Sequence, residues 1–218
     1  MNKRCYIAGA GEFCENRLPA YGDYIIAADA GYAVLSQYGI IPDLIVGDFD
    51  SLDKYPQLLK TLSGHPNVIQ SPVEKDDTDM MLAVRKGLEL GFKSFIINGG
   101  LGGRLDQTYA NIQILAYIAE NDASGILYGQ EMNVTAVRNS KIELFPDKLQ
   151  TGIISVFCHG DKAEGVTIKG LKYPLKDAAL NCTYPIGISN EILGNNAVIS
   201  VREGVLIIIY PADIRIEH

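Results

Sequence analysis

Between Arg4 and about Gly129, short runs of β-forming residues alternate with helical stretches, and beyond Gly129 the helical period disappears. That rhythm narrows the fold more than any other feature. Repeated strand–helix–strand units close only as a mostly parallel sheet, because each crossover helix returns the chain to the same sheet in the same direction. Strands are predicted at 4–8, 24–28, 44–46, 68–70, 95–97 and 126–128. Helices are predicted at 30–38, 78–90 and 105–120, the last from the helical spacing of Ile112, Leu115 and Ala119. After Gly129, β-rich runs at 133–137, 141–145, 153–157, 165–168, 178–182, 197–201 and 205–210 are separated by Gly, Pro and Asn, the pattern of an antiparallel sandwich. Arg202-Glu203-Gly204 reads as a hairpin turn between the last two. The expectation is therefore an α/β chain: a Rossmann-like, mostly parallel sheet domain at 1–130, then a C-terminal antiparallel β-sandwich domain at 131–218.

The chemistry-bearing residues fall mainly just after predicted strands, at the carboxyl edge of the sheet, where open α/β sheets bind ligands. Leu44-Ile45-Val46 ends at Gly47 and is followed by Asp48 and Asp50, two hard oxygen donors that, as residues i and i+2 of an extended segment, would point the same way and share Mg²⁺. Asp29 follows the second strand, Asp76, Asp77 and Asp79 the fourth, and Asp106 lies beyond the fifth. Taken singly, an Asp here is as readily a turn former or helix cap, and Asp77 or Thr78 suits the start of helix 78–90. Gathered on one rim, these carboxylates repel one another unless a cation or hydrogen-bond donors compensate.

The loop Asn98-Gly99-Gly100-Leu101-Gly102-Gly103-Arg104 places four glycines between a strand and a helix, a setting in which backbone amides surround phosphate oxygens and Arg104 adds charge-assisted hydrogen bonds. The alternative is a flexible turn that only permits tight packing. Lys75 is a further candidate phosphate contact. Gly9-Ala10-Gly11, with Asp29 twenty positions after Gly9, invites a dinucleotide-binding reading, but Cys14 occupies the third glycine position. In the second half, the polar segment 187–191 offers Ser189 and Asn190 to a heteroaromatic ligand, or forms only a turn.

A net charge of −7 argues against non-specific binding to nucleic acid or anionic membranes. Four cysteines without close pairing point to a reducing, cytoplasmic setting, and three scattered histidines lack zinc-ligand spacing. No apolar run approaches the roughly 20 residues of a membrane span.

With these segments in view, the chain resembles the bacterial-type thiamine pyrophosphokinases. The resemblance is carried by Ala28-Asp29-Ala30-Gly31, the stretch 42–51, Lys75-Asp76-Asp77-Thr78-Asp79, the stretch 98–107 and the segment 187–191, in the family's order. It implies transfer of the pyrophosphoryl group of ATP to thiamine, giving thiamine diphosphate and AMP. It also implies Mg²⁺ held by Asp48, Asp50 and Asp79, catalytic roles for these with Arg104 and Asp106, and nucleotide contacts from Lys75, Asp76, Asp77, Thr78, Gly99, Gly100, Gly102, Gly103 and Arg104. Asp29, Ser189 and Asn190 would face thiamine at the interface of a homodimer. Two departures stand out: the family's Asp-Gly-Gly is Asp29-Ala30-Gly31, and no Trp is present to stack on thiamine, which leaves Tyr184 or another aromatic for that place. The rival readings are another Mg²⁺-dependent phosphoryl-transfer enzyme, such as a haloacid-dehalogenase-like phosphatase, and a non-catalytic nucleotide or thiamine sensor.

Overall fold

The computed structural model describes residues 3–50, 56–70, 72 and 77–218 and is a mixed α/β fold with four α-helices among them. The chain divides into two compact units, Met1–Ile114 with Leu127–Gly129, and Leu115–Ile126 with Gln130–His218.

The first unit holds strands β1 (Cys5–Ala8), β2 (Tyr24–Ala28), β3 (Leu44–Gly47), β4 (Val68–Gln70) and β5 (Ser94–Asn98). All are parallel, in the order β5-β1-β2-β3-β4, with Cys5 opposite both Phe95 and Tyr24, and Ala28 opposite Val46. β1 and β3 are buried at every position, which is why they read as unbroken apolar runs rather than alternating ones. Ile7, Ile45 and Ile97 are fully buried, and each such side chain contributes about 1.5–3 kcal/mol relative to exposure. The helices are α1 (Gly31–Gln37), α2 (Pro56–Ser63), α3 (Asp79–Glu89) and α4 (Leu105–Glu120). α2 has no counterpart among the predicted elements, since two turns are too short to display a helical period. α3 shows why its neighbourhood is tight: a β-carbon on Gly87 would lie 2.5 Å from the Phe95 ring and 3.0 Å from Cys5 Sγ, so the missing side chain lets the helix settle against those two side chains.

β1 lies between β5 and β2, so the chain leaves it on one side for β2 and returns on the other at β5. The carboxyl ends of β1 and β5 are therefore the switch point at which open parallel sheets form a crevice.

After β6 (Ser124–Leu127) the strands are β7 (Met132–Arg138), β8 (Lys141–Phe145), β9 (Ile153–Lys169), β10 (Leu175–Asn181), β11 (Asn190–Glu191), β12 (Ala197–Ser200), β13 (Glu203–Pro211) and β14 (Arg215–Glu217). Their pairings in the second unit are antiparallel, and Ile142, Leu144, Ile154, Val156, Ile168, Ile199, Leu206 and Ile208 meet in one core. Two expectations change here. The predicted strands 153–157 and 165–168 are one 17-residue strand, β9. Gly160 and Gly165, at φ 78° and 68°, bend it at a bulge rather than breaking it, so its first part pairs with β13 and its last part with β12 and β10. Arg202–Gly204 is not a hairpin turn, because β12 and β13 both pair with β9 and not with each other. No helix among the described residues is long and apolar enough to cross a membrane.

Candidate active site

A cavity of about 690 Å³ opens at the switch point, lined by the ends of β1, β2 and β5 and by the starts of α3 and α4. Gly9, Ala10 and Gly11 form one side, and Gly99, Gly100, Gly102, Gly103 and Arg104 another. Asp29, Thr78 and Asp79 also line it.

The glycine loop after β5 owes its shape to how its carbonyls are spent. Gly99 O accepts from the Gly11 amide at 2.7 Å, and Leu101 O accepts from the Glu12 amide at 2.8 Å. Gly100 O accepts from Asn111 Nδ2 at 2.7 Å, and Gly102 O from Thr108 Oγ1 at 3.2 Å. Four successive carbonyls are thus bonded within the protein, which keeps their negative ends from an anion in the cavity. Gly9 and Gly99 approach so closely that a β-carbon on Gly9 would lie 2.5 Å from Gly99 O. This accounts for Gly9-Ala10-Gly11 without a dinucleotide: the amides of Gly9 and Gly11 are bonded to Asn98 O and Gly99 O, and that of Cys14 to Asn98 Oδ1. Asn98, fully buried, also donates to Tyr6 Oη and to the carbonyls of Cys14 and Arg17, and so holds the 9–17 segment over β5.

Asp29, Asp48 and Asp50 form the carboxylate group of the rim, each offering an oxygen within 4.8 Å of the others. The route to this convergence differs from simple strand alternation. β3 ends at Gly47, and buried Phe49 takes φ 66°, so a left-handed turn between the two carboxylates, with the Asp50 amide bonded to Asp48 Oδ1 at 3.2 Å, brings them round. Asp29 is also left-handed, at φ 48°, while its amide extends the β2–β3 ladder to Val46 O at 2.8 Å. Such backbone angles in non-glycine residues concentrate at functional sites. Three hard oxygen donors at this separation suit a small divalent cation, and Asp29 stands in both the carboxylate group and the cavity wall.

The other site candidates are distributed as follows. Thr78 caps α3, accepting from the Met81 amide at 3.1 Å, which leaves Asp79 in the first turn, on the cavity wall. Asp77 is paired with Arg85 and does not line the cavity. Asp106 grips the Arg104 guanidinium through two bonds, of 3.1 and 2.6 Å. Arg104 and the Gln107 amide hold the Asp106 carboxyl below the usual carboxylate range. Lys75 and Asp76 lie outside the described residues.

In the second unit Ser189 is exposed and left-handed at φ 57°, its amide bonded to Ser155 Oγ. Asn190 is buried, donating to Tyr173 O at 2.7 Å and accepting from the amides of Tyr173 and Glu191 at 2.9 and 3.0 Å. Both ends of its carboxamide are therefore committed to the backbone. Tyr184 is exposed. Met80, Gln107 and Asn111 line the cavity without having been singled out in the sequence. Asn111 carries the one usable signal, a polar residue at helical spacing from the buried Leu115 and Ile118 of α4.

Known families fit this arrangement along both halves. The thiamin pyrophosphokinase catalytic-domain family matches residues 17–127, and the thiamin pyrophosphokinase vitamin B1 binding-domain family matches residues 141–206. This chain belongs to the thiamine pyrophosphokinase family. A thiamine pyrophosphokinase of Bacillus subtilis (strain 168) is 28% identical over 188 residues, covering 86% of this chain and 87% of that protein. Thiamin pyrophosphokinase 1 of Caenorhabditis elegans is 29% identical over 161 residues, 69% of this chain and 63% of that one. The crystal structure of the Bacillus subtilis thiamine pyrophosphokinase superposes with a TM-score of 0.82 at 26% identity, covering 97% of this chain and 100% of that one.

Proposed function

We infer that this chain is an enzyme that transfers the pyrophosphoryl group of ATP to thiamine. The hydroxyethyl oxygen of thiamine attacks the β-phosphorus, the bond from that phosphorus to the bridging oxygen of the α-phosphate breaks, and AMP leaves with thiamine diphosphate as the other product. The observation that carries the reading is a glycine loop whose carbonyls are bonded within the protein, sharing one cavity with Asp29 of the carboxylate group.

In this reading the loop 99–103 and the start of α4 take the phosphate chain, and Arg104, oriented by Asp106, meets the charge that develops on it. Asp48 and Asp50 hold Mg²⁺, joined by Asp29, with Asp79 facing the same cavity. An ion held by these carboxylates would supply charge neutralisation for the phosphate oxygens. A carboxylate of this set takes the alcohol proton. Residues 131–218 are assigned as the thiamine-binding β-sandwich, and residues 1–130 as the Rossmann-like nucleotide domain. Ser189 presents its hydroxyl to thiamine, and Asn190 supports it by pinning the Tyr173 backbone. Exposed Tyr184, Ile186 and Ile188 beside that segment support a homodimer in which a partner subunit helps to enclose thiamine. Four free cysteines suit a cytoplasmic protein.

The phosphatase alternative fits less well, since its Asp-x-Asp nucleophile follows the first strand whereas Asp48-Phe49-Asp50 follows β3. The test is direct. Incubation with Mg-ATP and thiamine yields AMP and thiamine diphosphate in equal amounts; release of inorganic phosphate or ADP instead refutes the assignment.

A further inference from the structure

The segment that carries Ser189 slips by one residue against β9. Asn190 and Glu191 lie opposite Ile154 and Ile153, and the Ile192 amide continues the same register to Gly152 O at 3.0 Å. On the other side the Val156 amide donates to Gly187 O at 2.8 Å. Between these fixed points β9 has one residue, Ser155, and the facing segment has two, Ile188 and Ser189. Two residues opposite one make a β-bulge, a device that re-aims side chains beside binding sites. Its ends are held by the chain itself: a β-carbon on Gly187 would lie 2.2 Å from Val156 O, and buried Asn190 is bonded to the Tyr173 backbone.

The middle of the bulge is held by a side chain. Ile154 and Val156 are buried in the core, so strand alternation puts Ser155 on the opposite face, half-buried. There its Oγ accepts from the Ser189 amide at 3.2 Å. Ser189 is exposed and left-handed at φ 57°, a conformation that costs a residue with a side chain and persists only where its surroundings hold it. A hydroxyl thus takes the place that a ladder carbonyl takes elsewhere along β9. Valine at this position would suit a strand better, but it would leave the Ser189 amide without this acceptor.

Resting on the reading that Ser189 presents its hydroxyl to thiamine, we propose that Ser155 is a positioning residue for thiamine recognition, its hydroxyl holding the bulge so that the Ser189 side chain is aimed at the substrate. Ser155 acts through Ser189 and makes no contact with thiamine of its own.

The experiment measures KM for thiamine and for ATP in the wild type, Ser155→Ala, Ser155→Thr, Ser189→Ala and the double alanine variant. Ser155→Ala should raise KM for thiamine roughly three- to tenfold, the worth of one hydrogen bond, with KM for ATP unmoved. Ser155→Thr keeps the hydroxyl and should stay near the wild type. In the Ser189→Ala background, Ser155→Ala should add no further rise, because the side chain it aims is gone. A Ser155→Ala variant that melts earlier but keeps its KM for thiamine overturns the proposal, and so do two effects that multiply in the double variant. Should Ser155→Ala fail to fold, Ser155→Cys, of similar shape but with a weakly accepting sulfur, takes its place with the same expectations. Ser189→Ala separates the two layers. An unchanged KM for thiamine in that variant takes Ser189 out of the thiamine site, and the underlying reading falls with the proposal; a raised KM there beside an unchanged one in Ser155→Ala removes the proposal alone.

Discussion

A β-carbon on Gly47 would lie 3.1 Å from the Cα of Asp29. Gly47 also sits at φ 154°, a conformation that side-chain-bearing residues rarely adopt. The last residue of β3 therefore does two things: it lets the chain turn towards Asp48, and it leaves room for Asp29 to come alongside. Gly47→Ala should lower stability by about 1–3 kcal/mol in urea denaturation and turnover by about tenfold or more, since Asp29 must move. Gly39→Ala is the control, because Gly39 has φ 66° but open space around its missing β-carbon. It should cost about 1 kcal/mol and leave turnover unchanged. Identical behaviour of the two variants would mean that the close approach does not set the carboxylate geometry.

Asp50 is exposed, so its replacement should spare the fold while removing one oxygen donor from the carboxylate group. Asp50→Ala is expected to reduce turnover at least about a hundredfold with an unchanged melting temperature. Wild-type rates in saturating Mg²⁺ would remove Asp50 from the site.

The Arg104–Asp106 pair gives a pH prediction. A carboxyl with a depressed folded-state pKa contributes stability above its unfolded pKa, and that contribution is lost as pH falls through the folded value. Asp106 should therefore titrate below its ordinary 3.8 in an NMR titration, and the pair should persist while other exposed carboxylates protonate. In Arg104→Ala its titration should return towards the ordinary range. Both side chains are largely exposed, so added salt should weaken the depression. Asp106→Asn should raise KM for ATP several-fold, because Arg104 loses its orientation.

Ser189 and Asn190, adjacent in sequence, should separate cleanly. Asn190→Ala removes buried bonds to the Tyr173 backbone and should cost about 1–3 kcal/mol in thermal denaturation. Ser189→Ala should leave the melting temperature alone and raise KM for thiamine far more than KM for ATP. Equal changes in the two KM values would take Ser189 out of thiamine recognition. Ser189→Gly, which relieves a left-handed backbone, should stabilise the fold by a few tenths to about 1 kcal/mol.

Elements that depend on local period and composition were legible without any tertiary information. α4 is predicted at 105–120 and observed at Leu105–Glu120, because an apolar repeat of four turns is visible without knowing its partner. The parallel strands and the placing of Asp29, Asp48 and the glycine loop after them follow from the same local pattern. Which groups meet follows instead from long-range packing. Asp29 joins Asp48 and Asp50 because parallel register sets Ala28 beside Val46, Gly47 has no side chain and Phe49 turns left-handed. Gly9 and Gly11 answer to Gly99 rather than to a nucleotide fingerprint, Asn190 to Tyr173, and Asp77 to Arg85. Each of these contacts joins residues that are not sequence neighbours, and strand propensity and helical period carry no information about distance across a fold. The same Asp-x-Asp reads locally as a turn, and becomes one lip of a ligand-bearing rim only when register and backbone sign bring the rest of the rim to it.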